Sequence, residues 1–143
     1  MIRQYTDNDV DCVVNIWRKA SDLAHPFLTR AFQDAEAENV RHVYPKFAEI
    51  WVNEHDGQVI GFIALIDAEV GAIFLDPDHH GKGMGREMMD FAVRQRGSLT
   101  VEVFRDNAIG RAFYDAYGFK QTGEYRHEPS GQMTVKMAYT VQA

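Results

Sequence analysis

Apolar positions along this chain change period several times, and each change marks an element. Ile2-Arg3-Gln4-Tyr5 alternates as a short strand does, and Asp7 or Asn8 is suited to cap the next helix. Val10, Val13, Val14, Trp17 and Ala20 then recur three and four apart, the stripe of an amphipathic helix. Pro26 breaks it, so His25-Pro26-Phe27-Leu28 reads as a loop, and a second helix is predicted from Ala31 to Tyr44, ending before Pro45. From there the apolar residues come in runs. Ile50 to Asn53 and Val59 to Ile66 read as strands joined through Asp56-Gly57, a hairpin turn signal, and Glu69 to Leu75 is a third run closed by Asp76-Pro77. A helix over Met84 to Arg94, a strand over Leu99 to Phe104, a helix over Ala108 to Tyr117 and strands over Lys120 to Arg126 and Met133 to Tyr139 complete the pattern. The order predicts an α+β, or mixed α/β, fold with a sheet of about seven strands and four helices.

Length and composition narrow the class without naming an activity. A chain of 143 residues fits one domain, expected here over 1–143, with 45% hydrophobic and 25% charged residues as in soluble globular proteins. It has no internal repeat, low-complexity stretch or linker. The single cysteine, Cys12, cannot form an internal disulfide, and its expected role is that of a buried structural thiol. The first ten residues carry charge and no apolar leader segment, and no apolar run approaches the ~20 residues of a membrane span. A cytoplasmic protein without a membrane partner is the expectation. The net charge of −6 disfavours nucleic acid as a partner, yet leaves room for a polyanionic ligand held by a local array of N–H groups. Seven strands leave sheet edges, so a monomer and a homodimer both fit.

Candidate chemistry gathers in two segments. In His79-His80-Gly81-Lys82-Gly83-Met84-Gly85-Arg86, alternate glycines strip Cβ atoms from one side of a tight loop, letting consecutive N–H groups face an anion at the start of a helix. A P-loop needs Gly-Lys followed by a hydroxyl, and Lys82 lies between glycines instead. A dinucleotide fingerprint counted from Gly83 puts Met88 at its third glycine, and five residues separate strand from loop. The second segment runs from Asn107 to Phe119. On a helix, Asn107, Gly110 or Arg111, and Tyr114 share one stripe, a surface that a narrow ligand can approach, while Ile109, Ala112, Phe113 and Ala116 read as core. Tyr114 is therefore either a proton donor or a half-buried aromatic with a satisfied hydroxyl. His79 and His80 are adjacent and lack a third ligand at suitable spacing, so no metal is expected, and the isolated His42 and His127 are expected to be solvated.

Ile73-Phe74-Leu75-Asp76-Pro77, the His79 to Arg86 loop and the Asn107 to Phe119 segment together resemble the GCN5-related N-acetyltransferase superfamily, across nearly the whole chain in element order. The resemblance implies a mostly antiparallel sheet and acetyl-CoA as cosubstrate. That family's Gln/Arg-x-x-Gly-x-Gly/Ala motif falls on His80-Gly81-Lys82-Gly83-Met84-Gly85, with His80 departing from it. By resemblance the N–H groups from Gly81 to Arg86 hold the pyrophosphate, the Leu75 backbone pairs with the pantetheine arm as an added strand would, Phe74 and His80 are further cofactor contacts, Asn107 and Gly110 hold that arm, and Tyr114 protonates the leaving thiolate. The implied reaction is direct attack by a neutral amine, with an oxyanion near the Leu75 backbone. Glu69 and His25 are candidate proton acceptors, with Glu102 third; Glu69 also reads as an exposed strand-edge carboxylate and His25 as a loop histidine bonded to backbone. The Asp22 to Leu28 segment is similar to a bacterial branch, the YjaB-like acetyltransferases, and makes Trp17, His25 and Phe27 candidates for an aromatic acceptor wall, Trp17 reading also as core. The expected acceptor is the amine of a small molecule or peptide, such as a polyamine, aminoglycoside or lysine side chain; a non-catalytic acyl-CoA sensor is the alternative.

Overall fold

The hydrophobic stripe of the first helix and the alternating strands resolve into one twisted sheet with a helical layer on each face. The computed structural model describes residues 1–141; 142 and 143, the end of the expected domain, lie outside the described residues. Strand β1 (Ile2–Gln4) leads into a 3-10 turn, helix α1 (Val10–Ala24) and helix α2 (Arg30–His42). Strands β2 (Glu49–His55), β3 (Gln58–Ile66) and β4 (Glu69–Leu75) come next, then helix α3 (Met84–Arg96), strand β5 (Leu99–Phe104), helix α4 (Ala108–Tyr117), and strands β6 (Lys120–His127) and β7 (Gln132–Tyr139). The sheet order is β1-β2-β3-β4-β5-β7-β6; β4 and β5 pair in parallel and the other neighbours antiparallel.

Strand periodicity divides the core. On one face Ile50, Val52, Phe62 and Ala64 pack against Val13, Ile16 and Trp17 of α1 and Ala37 and Val40 of α2. On the other, Ile63, Leu65, Val101 and Val135 pack against Met88, Met89 and Ala92 of α3 and Tyr114 of α4, with Phe119 fully enclosed beside them. Residues 62 and 64 thus serve one layer and 63 and 65 the other, as a period of two requires. Each of the Val, Leu, Ile, Phe and Met side chains fully withdrawn from water contributes about 1.5–3 kcal/mol, so burial on both faces holds the sheet.

Three local expectations change. The turn before α1 is organised by Asp9, whose carboxylate accepts from the Thr6 N–H at 2.8 Å, and not by Asp7 or Asn8. Helix α2 starts at Arg30, capped by Thr29, and ends at His42; Tyr44 belongs to a separate 3-10 turn containing Pro45. Cys12 is exposed, because it sits across α1 from the buried stripe.

Candidate active site

The site begins where two neighbouring strands stop pairing. The parallel ladder between β4 and β5 holds only at Glu69–Thr100 and Val70–Val101, after which the strands diverge. On its other side β4 stays bonded to β3, and Asp76 N donates to Ile60 O at 2.7 Å. Alternation along that ladder turns the polar groups of Ala72 and Phe74 toward β3 and those of Ile73 and Leu75 toward the gap. An unpaired backbone edge therefore faces a cavity of about 760 Å³ that runs between the two strands.

The glycine loop closes one end of it. Gly81 (φ +80°) and Gly83 (φ +79°) occupy the left-handed region, with open space where a Cβ would project. Glu87 N makes the first intrahelical bond of α3, to Gly83 O at 3.0 Å, so the N–H groups of Met84, Gly85 and Arg86 have no helical partner. This is a fit for a pyrophosphate. Gly85 serves a different purpose from the other two: a Cβ there would stand 3.2 Å from the Phe113 ring, so the missing side chain lets α3 lie close to α4. His80 reaches back, its Nε2 lying 3.2 Å from Leu75 O; a carbonyl only accepts, so Nε2 carries the hydrogen.

Helix α4 supplies the middle of the cavity. Asn107 caps it, Oδ1 accepting from Gly110 N at 2.8 Å. A Cβ on residue 110 would fall 2.6 Å from Asn107 Nδ2, so any side chain there would displace the capping amide. Tyr114, on the buried face of the helix, lines the cavity, and burial alone pushes its phenol above the ordinary tyrosine range.

The opposite end is aromatic and acidic. Trp17 and His25 line it from α1 and the loop after it, and Trp17 is at the same time a core residue. Phe27 lies behind the wall, its ring edge-on to His25 at 5.8 Å and to Phe104 at 5.7 Å. Burial lowers the His25 pKa to about 4, and both ring nitrogens are engaged, Nδ1 with Ser21 Oγ at 3.0 Å and Nε2 with Asn107 Nδ2 at 3.1 Å. Glu69 is half-buried; burial first, then the Glu102 charge, raises its pKa. The Tyr125 hydroxyl donates to Glu102, which with burial pushes that phenol up to about 12. Glu36, accepting from Tyr44 OH at 2.9 Å, is a third carboxylate on the lining.

Of the residues singled out from sequence, Phe74, Leu75, His80, Gly81, Gly83 to Arg86, Asn107, Gly110, Tyr114, Glu69, His25 and Trp17 all line this one cavity, while Lys82 and Phe27 stand outside its surface. His127 departs from expectation. It is half-buried on the lining, bonded to Ser130 Oγ at 2.8 Å and packed edge-on against Phe104 and Phe32. His127, Phe32, Glu36 and Tyr44 carry no motif and reach the site only through tertiary packing. No group of three or more acidic, histidine or cysteine side chains able to hold a metal converges among the described residues, and no helix there is long and apolar enough to cross a membrane.

A parallel pair that splays beside a glycine loop with free N–H groups suits an acyl-CoA, and comparison with known proteins gives the class. The family model of the acetyltransferase (GNAT) domain matches residues 46–121. Peptidyl-lysine N-acetyltransferase YjaB of Escherichia coli (strain K12) is 33% identical over 133 residues, covering 92% of this chain and 89% of that one. Peptidyl-lysine N-acetyltransferase YiaC of the same strain is 28% identical, covering 83% and 82%. The solution structure of apo YjaB from Escherichia coli superposes with a TM-score of 0.89 at 28% identity, over 99% of this chain and 98% of the other. The chain belongs to the GNAT family. It is an acetyl-CoA-dependent N-acetyltransferase, with acetyl-CoA as cosubstrate and an amine as acceptor.

Proposed function

We propose that the acceptor is a lysine side chain of a peptide or protein, acetylated by direct transfer with Tyr114 as general acid and Glu69 as the group that receives the amine's proton. The observation that carries this reading is the acceptor end of the cavity, where apolar and aromatic walls lead to Glu36, Glu69 and Glu102. A lysine has a matching shape and charge, an apolar stem ending in an ammonium. The names of the YjaB and YiaC relatives point the same way. The proposed setting is one catalytic domain over 1–143 in the cytoplasm, as a monomer or homodimer, with neither nucleic acid nor membrane as partner.

Free lysine titrates near pH ~10.4, so it arrives protonated and must lose a proton before it can attack. Glu69 and Glu102 attract the ammonium, and the raised pKa of Glu69 suits it to accept that proton, directly or through water. The amine nitrogen then bonds the acetyl carbon while the backbone N–H of Leu75 faces the developing oxyanion; as the carbonyl re-forms the carbon–sulfur bond breaks, Tyr114 gives its proton to the thiolate, and the extra proton on the new amide nitrogen passes through water to the phenolate. The phenol, held neutral by burial, still carries its proton when the thiolate leaves beside it. His25 fits the proton-acceptor role poorly, because its Nε2 lone pair is directed at Asn107. Its assigned place is structural.

Thiol release measured with lysine peptides, N-terminal amines and polyamines tests the proposal. Lysine peptides should turn over fastest. Tyr114→Phe should keep CoA affinity while kcat falls by roughly 10²–10³, within the range for loss of a general acid. Unimpaired turnover in that variant would remove Tyr114 from the mechanism, and a preference for polyamines would replace the acceptor class.

A further inference from the structure

The residue that caps the end of one helix touches the residue that caps the start of another across the active site. His25 is the C-terminal cap of α1 and Asn107 the N-terminal cap of α4, 82 positions apart in the sequence. We propose that His25 is a positioning residue for the donor site: it fixes the side-chain amide of Asn107, and so ties the acceptor loop His25–Leu28 to the helix that receives the pantetheine arm. The donor half rests on the reading of Asn107 as a CoA contact.

The bonding pattern permits one arrangement. Gly110 N–H can only donate, so the Asn107 atom 2.8 Å away must be the oxygen, and the amide nitrogen must be the atom turned to His25. That nitrogen donates to His25 Nε2 at 3.1 Å, which therefore carries a lone pair. The ring hydrogen sits on Nδ1 and is given to Ser21 Oγ at 3.0 Å. Ser21 is 1% exposed, His25 7% and Asn107 8%, so water is a poor substitute for any of these partners. Phe27, Phe74 and Phe104 stand edge-on around the imidazole, at 5.8, 6.3 and 5.2 Å, and Gln33 Nε2 donates to the His25 carbonyl at 3.3 Å. Every polar atom of His25 that could swing the ring or the loop is thus engaged. Asn107 keeps one amide hydrogen and one carbonyl lone pair unassigned, and it lines the cavity. A freely rotating Asn107 would present those groups in either order; one pinned at both ends presents them in one, before the ligand arrives.

Two readouts test the link separately. Nitrogen-15 spectra of the full chain report the His25 tautomer with no ligand present: hydrogen on Nδ1 is expected, and hydrogen on Nε2 overturns the proposal. Calorimetry with CoA then reads its effect. His25→Phe keeps an aromatic ring in the box but removes the acceptor, and should weaken CoA binding about five- to tenfold, the worth of one buried hydrogen bond. His25→Gln places an amide oxygen near the Nε2 position and should recover affinity to within about twofold of the parent. Thermal melts identify a variant that fails to fold, in which case the tautomer and His25→Gln decide. Parent-like CoA affinity in folded His25→Phe rejects the positioning role and leaves the donor site standing. Absence of CoA binding to the parent chain rejects the donor-site reading itself. A hundredfold loss of kcat in His25→Gln at unchanged affinity would make His25 a proton acceptor and overturn positioning.

Discussion

Gly110 has a second reason to be glycine that its sequence context hides. Spacing on the helix presents it as a gap for a ligand, whereas the structure shows Asn107 folded over it, 2.6 Å from any added Cβ. Gly110→Ala should therefore push the Asn107 amide away, losing the cap bond and the His25 contact together. A stability loss of about 1–2 kcal/mol is expected from the cap, together with weaker CoA binding, checked by urea unfolding and calorimetry; a variant of parent stability and affinity would show that the cap tolerates the methyl group. Residues of this kind, in contiguous segments with local backbone demands, were legible in the sequence, as Gly81, Gly83, Asn107 and Tyr114 were as members of the cavity lining. His127 and Glu36 were not, because β6 and α2 carry no local signal that they meet at the cavity. Cys12 departs from its expected burial although a signal for exposure is present: the stripe Val10-Val13-Val14-Trp17 leaves position 12 on the outer side of α1.

Elements were easier to read than their ends. The Asp56-Gly57 hairpin is as its residues imply, both in the left-handed region at φ +52° and +77°, where Asp is tolerated and Gly is free. The one-turn 3-10 segments at Asp7–Asp9, Tyr44–Lys46 and Pro77–His79 escaped, since three residues are too few to establish a period. Two glycines in the same backbone state allow the glycine loop to be tested against an internal control. Gly57 and Gly83 have nearly equal φ, +77° and +79°, and nothing within 4 Å of an added Cβ. Alanine at either should cost about 1–2 kcal/mol through backbone strain alone. Gly57→Ala, in a hairpin outside the cavity lining, should bind CoA as the parent does, whereas Gly83→Ala should weaken binding about tenfold or more by re-aiming the N–H groups that open α3. Equal CoA affinities in the two variants would remove the loop's backbone from the donor site.

At the scale of the whole molecule, composition and element order gave the class, but no local pattern announces that β4 and β5 meet over only two residue pairs, the feature that opens the cavity. The β1 edge of the sheet is held by another long-range device, Arg3. Its guanidinium makes paired bonds of 2.9 Å to both oxygens of Asp9 and reaches Glu54 Oε2 at 2.7 Å, joining β1, the turn before α1 and β2. The Arg3 hydrogen bonds hold the Asp9 carboxyl below its ordinary value against the opposing effect of burial, with the Thr6 N–H assisting. A carboxylate whose folded pKa is depressed adds stability that is fully present above its unfolded value, near pH ~3.9, and fades as pH falls through the folded one. Arg3→Met leaves Asp9 charged and largely enclosed at neutral pH, and should cost about 2–3 kcal/mol there. The same variant should cost clearly less near pH ~3, where Asp9 without its partner is protonated and needs no cation. Urea unfolding at the two pH values decides the matter, equal losses meaning that Arg3 acts by packing and not by charge. CoA affinity should survive, since Arg3 stands outside the cavity lining; a fall in affinity would mean that strain at the β1 edge reaches the gap between β4 and β5 through the sheet.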